Sequence, residues 1–136
     1  GAPVIDMFDY FKSDSKKTIK DVIEEADELK KQGMQSTRSL GQWKLVADSI
    51  YNSMKFSATS DNKENIERQL KMVQNDLDLL LLTQAYGVRQ HYVFALPDGD
   101  KTTLIGQIGT GELSDKYFAR FRRKLRWNYL KEQRKI

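Results

Sequence analysis

Residues 61–87 read DNKENIERQLKMVQNDLDLLLLTQAYG, and this stretch predicts the architecture of the chain. Asp61 and Glu64 form a helix-capping pair, and Gly87 supplies a stop after Tyr86. Between them, apolar residues recur at steps of three and four: Ile66, Leu70, Val73, Leu77, then Leu80 or Leu81. The spacing predicts one long helix with a buried stripe. Leu79 to Leu82 are apolar all round the helix, so we expect its C-terminal end to be buried on several sides.

Two amphipathic segments precede this helix. From Asp14 the period becomes helical, and Gly33 ends the first segment, whose stripe is Ile19, Val22, Ile23, Ala26 and Leu29. A capping box of Ser39 and Gln42 opens the second, whose stripe is Leu40, Trp43, Ala47, Ile50 and Met54. Each stripe needs a facing helix. Residues 14–86 are therefore predicted to form a three-helix antiparallel bundle, preceded by a short N-terminal segment over residues 1–13.

After Gly87 the apolar period changes to two. The stretches VRQHYVFAL and KTTLIGQI flank PDGD, in which Asp98-Gly99 is typical of a hairpin turn. Residues 88–108 are therefore predicted to form a β-hairpin lying on the helices, because an isolated hairpin is marginal in water. Closing on that turn would give four pairs: Leu96 with Lys101, Phe94 with Thr103, Tyr92 with Ile105, and His91 with Gly106.

A last helix is predicted over residues 114–134, capped by Ser114. At about 100° per residue, one face is apolar and aromatic and closes the core: Tyr117, Phe118, Phe121, Leu125 and Tyr129. The opposite face surrounds Trp127 with basic residues: Lys116, Arg120, Arg123, Lys131 and Arg134. Residues 1–136 are thus expected to form a single α+β, mainly α domain: a three-helix antiparallel bundle, a β-hairpin and a basic C-terminal helix.

Positive charge is concentrated at the C-terminal end of the chain. Residues 116–136 carry nine basic side chains against one acid, Glu132, for a net charge of +8. Residues 1–115 carry 14 basic and 18 acidic groups, for a net charge of −4, and the whole chain is at +4. An acidic body with a strongly basic terminal element points to an anionic partner.

Trp127 is the residue that a solvated charged face does not explain, because indole exposes a large apolar area. Basic residues interleaved with aromatics suit unpaired nucleic acid, which stacks its bases on the ring while arginines hold the phosphates. The first hypothesis is therefore a non-enzymatic binding module for RNA or DNA. Its predicted binding residues are Lys116, Arg120, Arg123, Trp127, Lys131 and Arg134.

Two other covers for the indole stay open. A partner protein or a second copy of the chain could bury it, since Trp and Arg dominate protein–protein hot spots; the partner would then be an acidic protein surface or a homodimer mate. Alternatively, an acidic row on the first helix could lie against it: Asp21, Glu24, Glu25 and Glu28. A membrane surface fits less well, because an interfacial helix carries its aromatics on the apolar side.

The sequence contains few candidate catalytic residues. His91 is the single histidine, and a lone His on a strand is more often packed than catalytic. A further hypothesis is a metal-independent nuclease in which His91, Glu112 and Arg89 act as base, acid and phosphate clamp. The stretch GQIGTGELSDK resembles a phosphate loop, but Glu112 and Leu113 stand where lysine and a hydroxyl are required. No cofactor and no metal site are expected, and the chain has no cysteine.

Localisation stays open from the sequence. The longest apolar run is Leu79 to Leu82, far below the roughly 20 residues of a membrane span, and no secretory signal peptide is visible. The chain begins Gly1-Ala2-Pro3 without an initiator Met, which indicates a remnant of a cleaved tag, a processed product or a domain of a larger protein.

Overall fold

A computed structural model of the chain describes residues 18–54, 60–92 and 96–109. Over these ranges the protein is mainly helical, with a small two-stranded antiparallel sheet, which confirms the α+β, mainly α class. The elements are α1 (Ile19–Lys31), α2 (Leu40–Met54), α3 (Ser60–Leu70), α4 (Asp76–Tyr86), β1 (Arg89–Gln90), β2 (Lys101–Thr102) and α5 (Leu104–Gly109). The predicted N-terminal segment (1–13) and basic helix (114–134) lie outside the described residues. No described helix has the length and apolar character that crossing a membrane requires.

Local capping chemistry fixes both ends of α1. Thr18 and Asp21 form a capping box, in which each side chain accepts a hydrogen bond from the other's backbone N–H at 3.2 Å. At the other end, Gly33 adopts φ +92, and the backbone N–H groups of Gly33 and Met34 donate to the carbonyls of Lys30 and Leu29. This is a Schellman motif, so the predicted stop at Gly33 is confirmed.

The predicted capping box of α2 is also present. The Ser39 backbone N–H donates to Gln42 Oε1 at 2.8 Å, and the Gln42 N–H donates to Ser39 Oγ at 3.2 Å. The buried face is Trp43, Val46, Ala47, Ile50 and Met54. Leu40, which we expected in this stripe, is the first residue of the helix and is 43% exposed, while Val46, which we did not include, is buried.

The prediction of a single long helix over residues 61–86 is wrong, because two separate helices, α3 and α4, occupy this stretch. The Asn75 side chain caps α4 by accepting the Asp78 N–H at 2.8 Å. At the end of α3, the backbone N–H groups of Met72 and Val73 donate to carbonyls of its last residues and form a tight turn. Leu70, Val73 and Leu77 are all buried across the break. The helical spacing of the apolar residues therefore continues through a segment whose backbone is not helical. This is why the sequence pattern predicts one continuous helix.

Helix α4 is the centre of the described core. It packs against α1, α2 and α5, while α3 packs against α2. Leu79, Leu80, Leu81 and Leu82 are all buried, as expected for an apolar run that neighbours surround on several sides. Gly87, at φ +64, ends the helix after Tyr86 in agreement with the sequence.

Asp78 is a fully buried carboxylate at the start of α4. Its Oδ1 accepts the Thr37 backbone N–H at 2.8 Å and the Ser36 hydroxyl at 2.9 Å. Its Oδ2 accepts the Thr37 hydroxyl at 2.8 Å and the Gln74 N–H at 3.0 Å. These four donors come from the α1–α2 linker and the α3–α4 turn, so one side chain joins both connections to the central helix.

The hairpin exists, but its predicted pairing is wrong. Arg89 pairs with Thr102 and Gln90 pairs with Lys101, and each strand is two residues long. The second predicted strand ends at Thr102, and the residues from Leu104 onward form α5 instead, with the Gly106 N–H donating to Thr103 Oγ1 at 3.1 Å. Leu104 and Ile105 are neighbours in sequence and both fully buried, which a helical turn allows and an alternating strand does not.

We predict that Asp78→Asn destabilises the protein by roughly 2–4 kcal/mol in urea denaturation followed by circular dichroism. Each carboxylate oxygen accepts one backbone N–H, from Thr37 or from Gln74. Whichever way an asparagine sits, its NH₂ group opposes one of them. The matched control is Asp27→Asn, whose carboxylate is exposed and 3.9 Å from Lys30; we expect a change under roughly 0.5 kcal/mol. Equal effects of the two substitutions would contradict this role of Asp78.

Gly99→Ala is expected to destabilise the protein by roughly 1–3 kcal/mol, because a Cβ at this position would lie 2.9 Å from the backbone carbon and oxygen of His91. Gly41→Ala is the control: its Cβ would meet nothing closer than 3.9 Å, and alanine in a helix is favoured by up to about 1 kcal/mol. Thermal unfolding of both variants checks the opposite signs. A tolerated Gly99→Ala would mean that the turn does not pack on His91.

Candidate functional site

The predicted binding face of the C-terminal helix lies outside the described residues, and so does Glu112. The residues of that predicted face are Lys116, Arg120, Arg123, Trp127, Lys131 and Arg134. Two candidate side chains, His91 and Arg89, are described. Their surroundings therefore decide what the described part of the chain offers chemically.

The acidic row of α1 is only partly available to a partner. The Asp21 carboxylate accepts the Thr18 N–H in the capping box, while Glu24 and Glu28 are exposed. Val22 and Ala26 bury the opposite side of the helix. The row therefore lies on the outer side of α1, and its proposed contact with Trp127 stays a prediction.

His91 is 4% exposed and both of its ring nitrogens are occupied. Nδ1 lies 3.0 Å from the carbonyl oxygen of Asp100, which can only accept, so Nδ1 carries the proton. Nε2 lies 2.7 Å from the Tyr86 hydroxyl, which therefore donates to it. The rings of Tyr86 and His91 stack with centroids 5.9 Å apart, and Tyr51 packs edge-on against both.

Burial is the main cause that lowers the pKa of His91 below its ordinary value, and the Arg89 guanidinium lowers it further. Hydrogen bonds to the backbone of Asp100 and Arg89, together with the Asp100 charge, act in the opposite direction and raise the pKa of His91, but by less. The net direction is down, so the imidazole is neutral in the folded protein at neutral pH. A general base needs a free acceptor nitrogen that substrate can reach. This geometry disfavours His91 in that role.

Two of the three guanidinium nitrogens of Arg89 are bonded to other described residues. Its Nε donates to the Tyr86 carbonyl at 2.7 Å, and its Nη2 bonds to Asp48 Oδ1 at 2.7 Å. Its guanidinium carbon lies 5.0 Å from the Tyr51 ring centroid and 4.9 Å from that of Tyr86. Both distances are within the range of cation–π contacts, so the guanidinium is attracted to both rings. Arg89 therefore fastens β1 to α2 and α4, with its Nε and Nη2 already bonded within the protein.

The structure does bring His91 and Arg89 together, in an aromatic cluster that contains Tyr51 and Tyr86 and is bonded to the Asp48 carboxylate. The sequence analysis did not predict these three partners. Tyr51 also donates its hydroxyl to the Gln90 carbonyl at 2.6 Å. A tyrosine next to the α2 stripe and another at the end of α4 were the only sequence features that could have indicated the cluster. His91 packs against the backbone of Gly99, whereas its predicted neighbour Gly106 is in α5.

Among the described residues, no group of three or more His, Asp or Glu side chains is arranged to hold a metal ion. The aromatic cluster, with its bonds directed inward, is suited to holding the hairpin on the helices. Comparison of the chain with protein-family models, with curated proteins and with solved structures finds no match.

We predict that Arg89→Lys lowers the free energy of unfolding by roughly 1–3 kcal/mol, because one ammonium group cannot reach Asp48 and the Tyr86 carbonyl while covering two rings. Chemical denaturation measures the loss. Arg68→Lys provides the control, since Arg68 is exposed on α3 and its nearest hydrogen-bond contact, Asn65 Oδ1, is at 3.5 Å. If both lysine variants were as stable as the parent, Arg89 would not fasten the hairpin.

Proposed function

We propose that the protein is a non-enzymatic binding module that docks on an anionic partner, with RNA or DNA as the first candidate, through residues 116–134. The observation that carries this proposal is the charge split along the chain. Nine of its 23 basic residues fall in the last 21 positions, beside a single acid. Polyanion binding depends on such local density, because each neutralised phosphate releases counterions.

The described part of the protein supports the proposal by contrast. Residues 18–54, 60–92 and 96–109 contain ten basic and thirteen acidic side chains. Of the cations, Arg89 and Lys71 are paired with Asp48 and Glu67 at 2.7 and 3.4 Å. A net negative body repels phosphate, so attraction for a polyanion must come from the basic C-terminal residues.

Within residues 116–134, the roles follow from side-chain chemistry. Arg120, Arg123 and Arg134 offer planar forks that match phosphate oxygens, and Lys116 and Lys131 add point charges. Trp127 offers a flat apolar face on which an unpaired base can stack, worth roughly 1–3 kcal/mol per base. This combination favours single-stranded or looped nucleic acid over a continuous duplex, whose bases are already stacked.

Fluorescence anisotropy with labelled single-stranded RNA, single-stranded DNA and duplex DNA tests the proposal at low and moderate salt. We expect the logarithm of the association constant to fall linearly with the logarithm of salt concentration, with a slope of about −0.7 per phosphate contacted on a single strand. The double variant Arg120→Gln/Arg123→Gln should reduce that slope by roughly 1.4 and weaken binding at every salt concentration.

A charge-matched control separates a local contact from a general effect of net charge. Lys20→Gln/Lys44→Gln removes the same two charges from exposed positions on α1 and α2. We expect this variant to keep most of the parent's affinity. Salt-independent binding, or equal losses in the two double variants, would rule the proposal out. A salt-resistant dimer that ignores nucleic acid would favour the assembly alternative.

A further inference from the structure

We propose that His91 is an acid-sensitive latch, whose protonation loosens the turn over residues 96–100 from the rest of the protein. This latch does not depend on the proposed binding of nucleic acid. Among the described residues, and apart from one hydrogen bond within the turn, its hydrogen bonds go to His91 and Gln90.

Three of those bonds involve His91 directly. Its N–H donates to the Asp100 carbonyl at 3.2 Å, and its ring Nδ1–H donates to the same oxygen at 3.0 Å. Its own carbonyl accepts the Gly99 N–H at 3.0 Å. Gly99 also packs on the His91 backbone too closely to leave room for a Cβ. His91 therefore takes part in three of the four hydrogen bonds that attach the turn to other described residues, and the Gln90 side chain supplies the fourth.

The imidazole is in turn held by the helical core through one hydrogen bond, from Tyr86 of α4 to Nε2. A second proton on the ring has to occupy this same nitrogen. It would then face the Tyr86 O–H, so the phenol would have to turn its hydrogen away for the contact to survive. Protonation thus opposes the bond that seats His91 in the core.

The groups around the ring, within the described residues, do not compensate a new positive charge. Tyr51 of α2 meets the ring edge-on at 6.0 Å and Tyr86 of α4 stacks on it, and both are neutral phenols. Arg89 on β1 is cationic and opposes the charge, while Asp100 in the turn favours it. Burial outweighs Asp100, and the pKa of His91 lies below its ordinary value.

The neighbouring residues of β1 have separate anchors. Arg89 is bound to Asp48, and the Gln90 carbonyl accepts the Tyr51 hydroxyl. β1 can therefore stay on the helices while His91 swings out and the turn follows it. The expected event is local opening of the turn, not global unfolding.

The sign of the effect follows from linkage. In the open state His91 is exposed and has its ordinary pKa of about 6.5, while in the closed state its pKa is lower. Below about pH 6.5 the open state binds the proton first. The closed state is thus fully favoured above that pH and loses up to about tenfold in its equilibrium per pH unit, until the pKa of the closed state is reached.

Amide hydrogen exchange measured by NMR between pH 8 and pH 5, corrected for intrinsic rates, tests the latch. We expect the opening constants at the Gly99 and His91 amides to rise up to about tenfold per unit below about pH 6.5. Core amides of α2 and α4 should change much less. The variant His91→Gln, neutral at every pH, should show no such rise.

The ring itself gives a second readout that does not depend on a variant folding. Because the chain has one histidine, its ring resonances are assigned without ambiguity. The latch requires a neutral Nδ1–H tautomer that titrates below its ordinary pKa. A ring that titrates at or above that value overturns the proposal. So does exchange at Gly99 that is independent of pH, or that rises equally in the cores of α2 and α4.

Discussion

The fold depends on one buried carboxylate. Asp78 lies at the start of the central helix α4 and accepts four hydrogen bonds from two separate connections of the chain. Every donor that the structure gives it is neutral, so its negative charge is compensated by dipoles: two hydroxyls, two backbone N–H groups and the N-terminus of the helix. Such a group is stable in the interior only while all of its partners stay in place.

This constraint extends into the core. The Ser36 hydroxyl that contacts Asp78 also accepts the indole N–H of Trp43 at 3.2 Å, and Trp43 is fully buried. Asn75, which caps α4, donates to the Gln35 carbonyl at 2.9 Å. The polar network therefore sets how the α1–α2 linker lies on α4, and the packing of the apolar faces depends on that placement.

Sequence periodicity identified the helical regions and most of their buried residues, because single-sided apolar stripes and caps are local properties. It failed where local and tertiary preferences differ. The apolar residues from Ile66 to Leu77 keep a helical spacing although the helix is interrupted between Leu70 and Asp76. Hydrogen bonds of Asp78 and Asn75 stabilise the turn at this interruption. The segment after Lys101 alternates like a strand, yet the core buries both Leu104 and Ile105.

The candidate sites follow the same division. A lone histidine and a nearby arginine suggested catalysis, but which way their polar atoms point depends on Tyr51 and Tyr86, which come from two different helices. No local pattern contains that information. The charge split, by contrast, is a property of composition alone, and it is the basis for proposing a polyanion as the partner of residues 116–134.

The central functional claim is that the Trp127 indole is uncovered in the free protein and becomes covered by nucleic acid. Acrylamide quenching of tryptophan fluorescence tests it directly, because the second tryptophan, Trp43, is fully buried. We expect a strongly quenched component in the parent, its absence in Trp127→Phe, and its protection on adding single-stranded RNA at low salt. An indole that acrylamide cannot reach in the free protein would contradict the account.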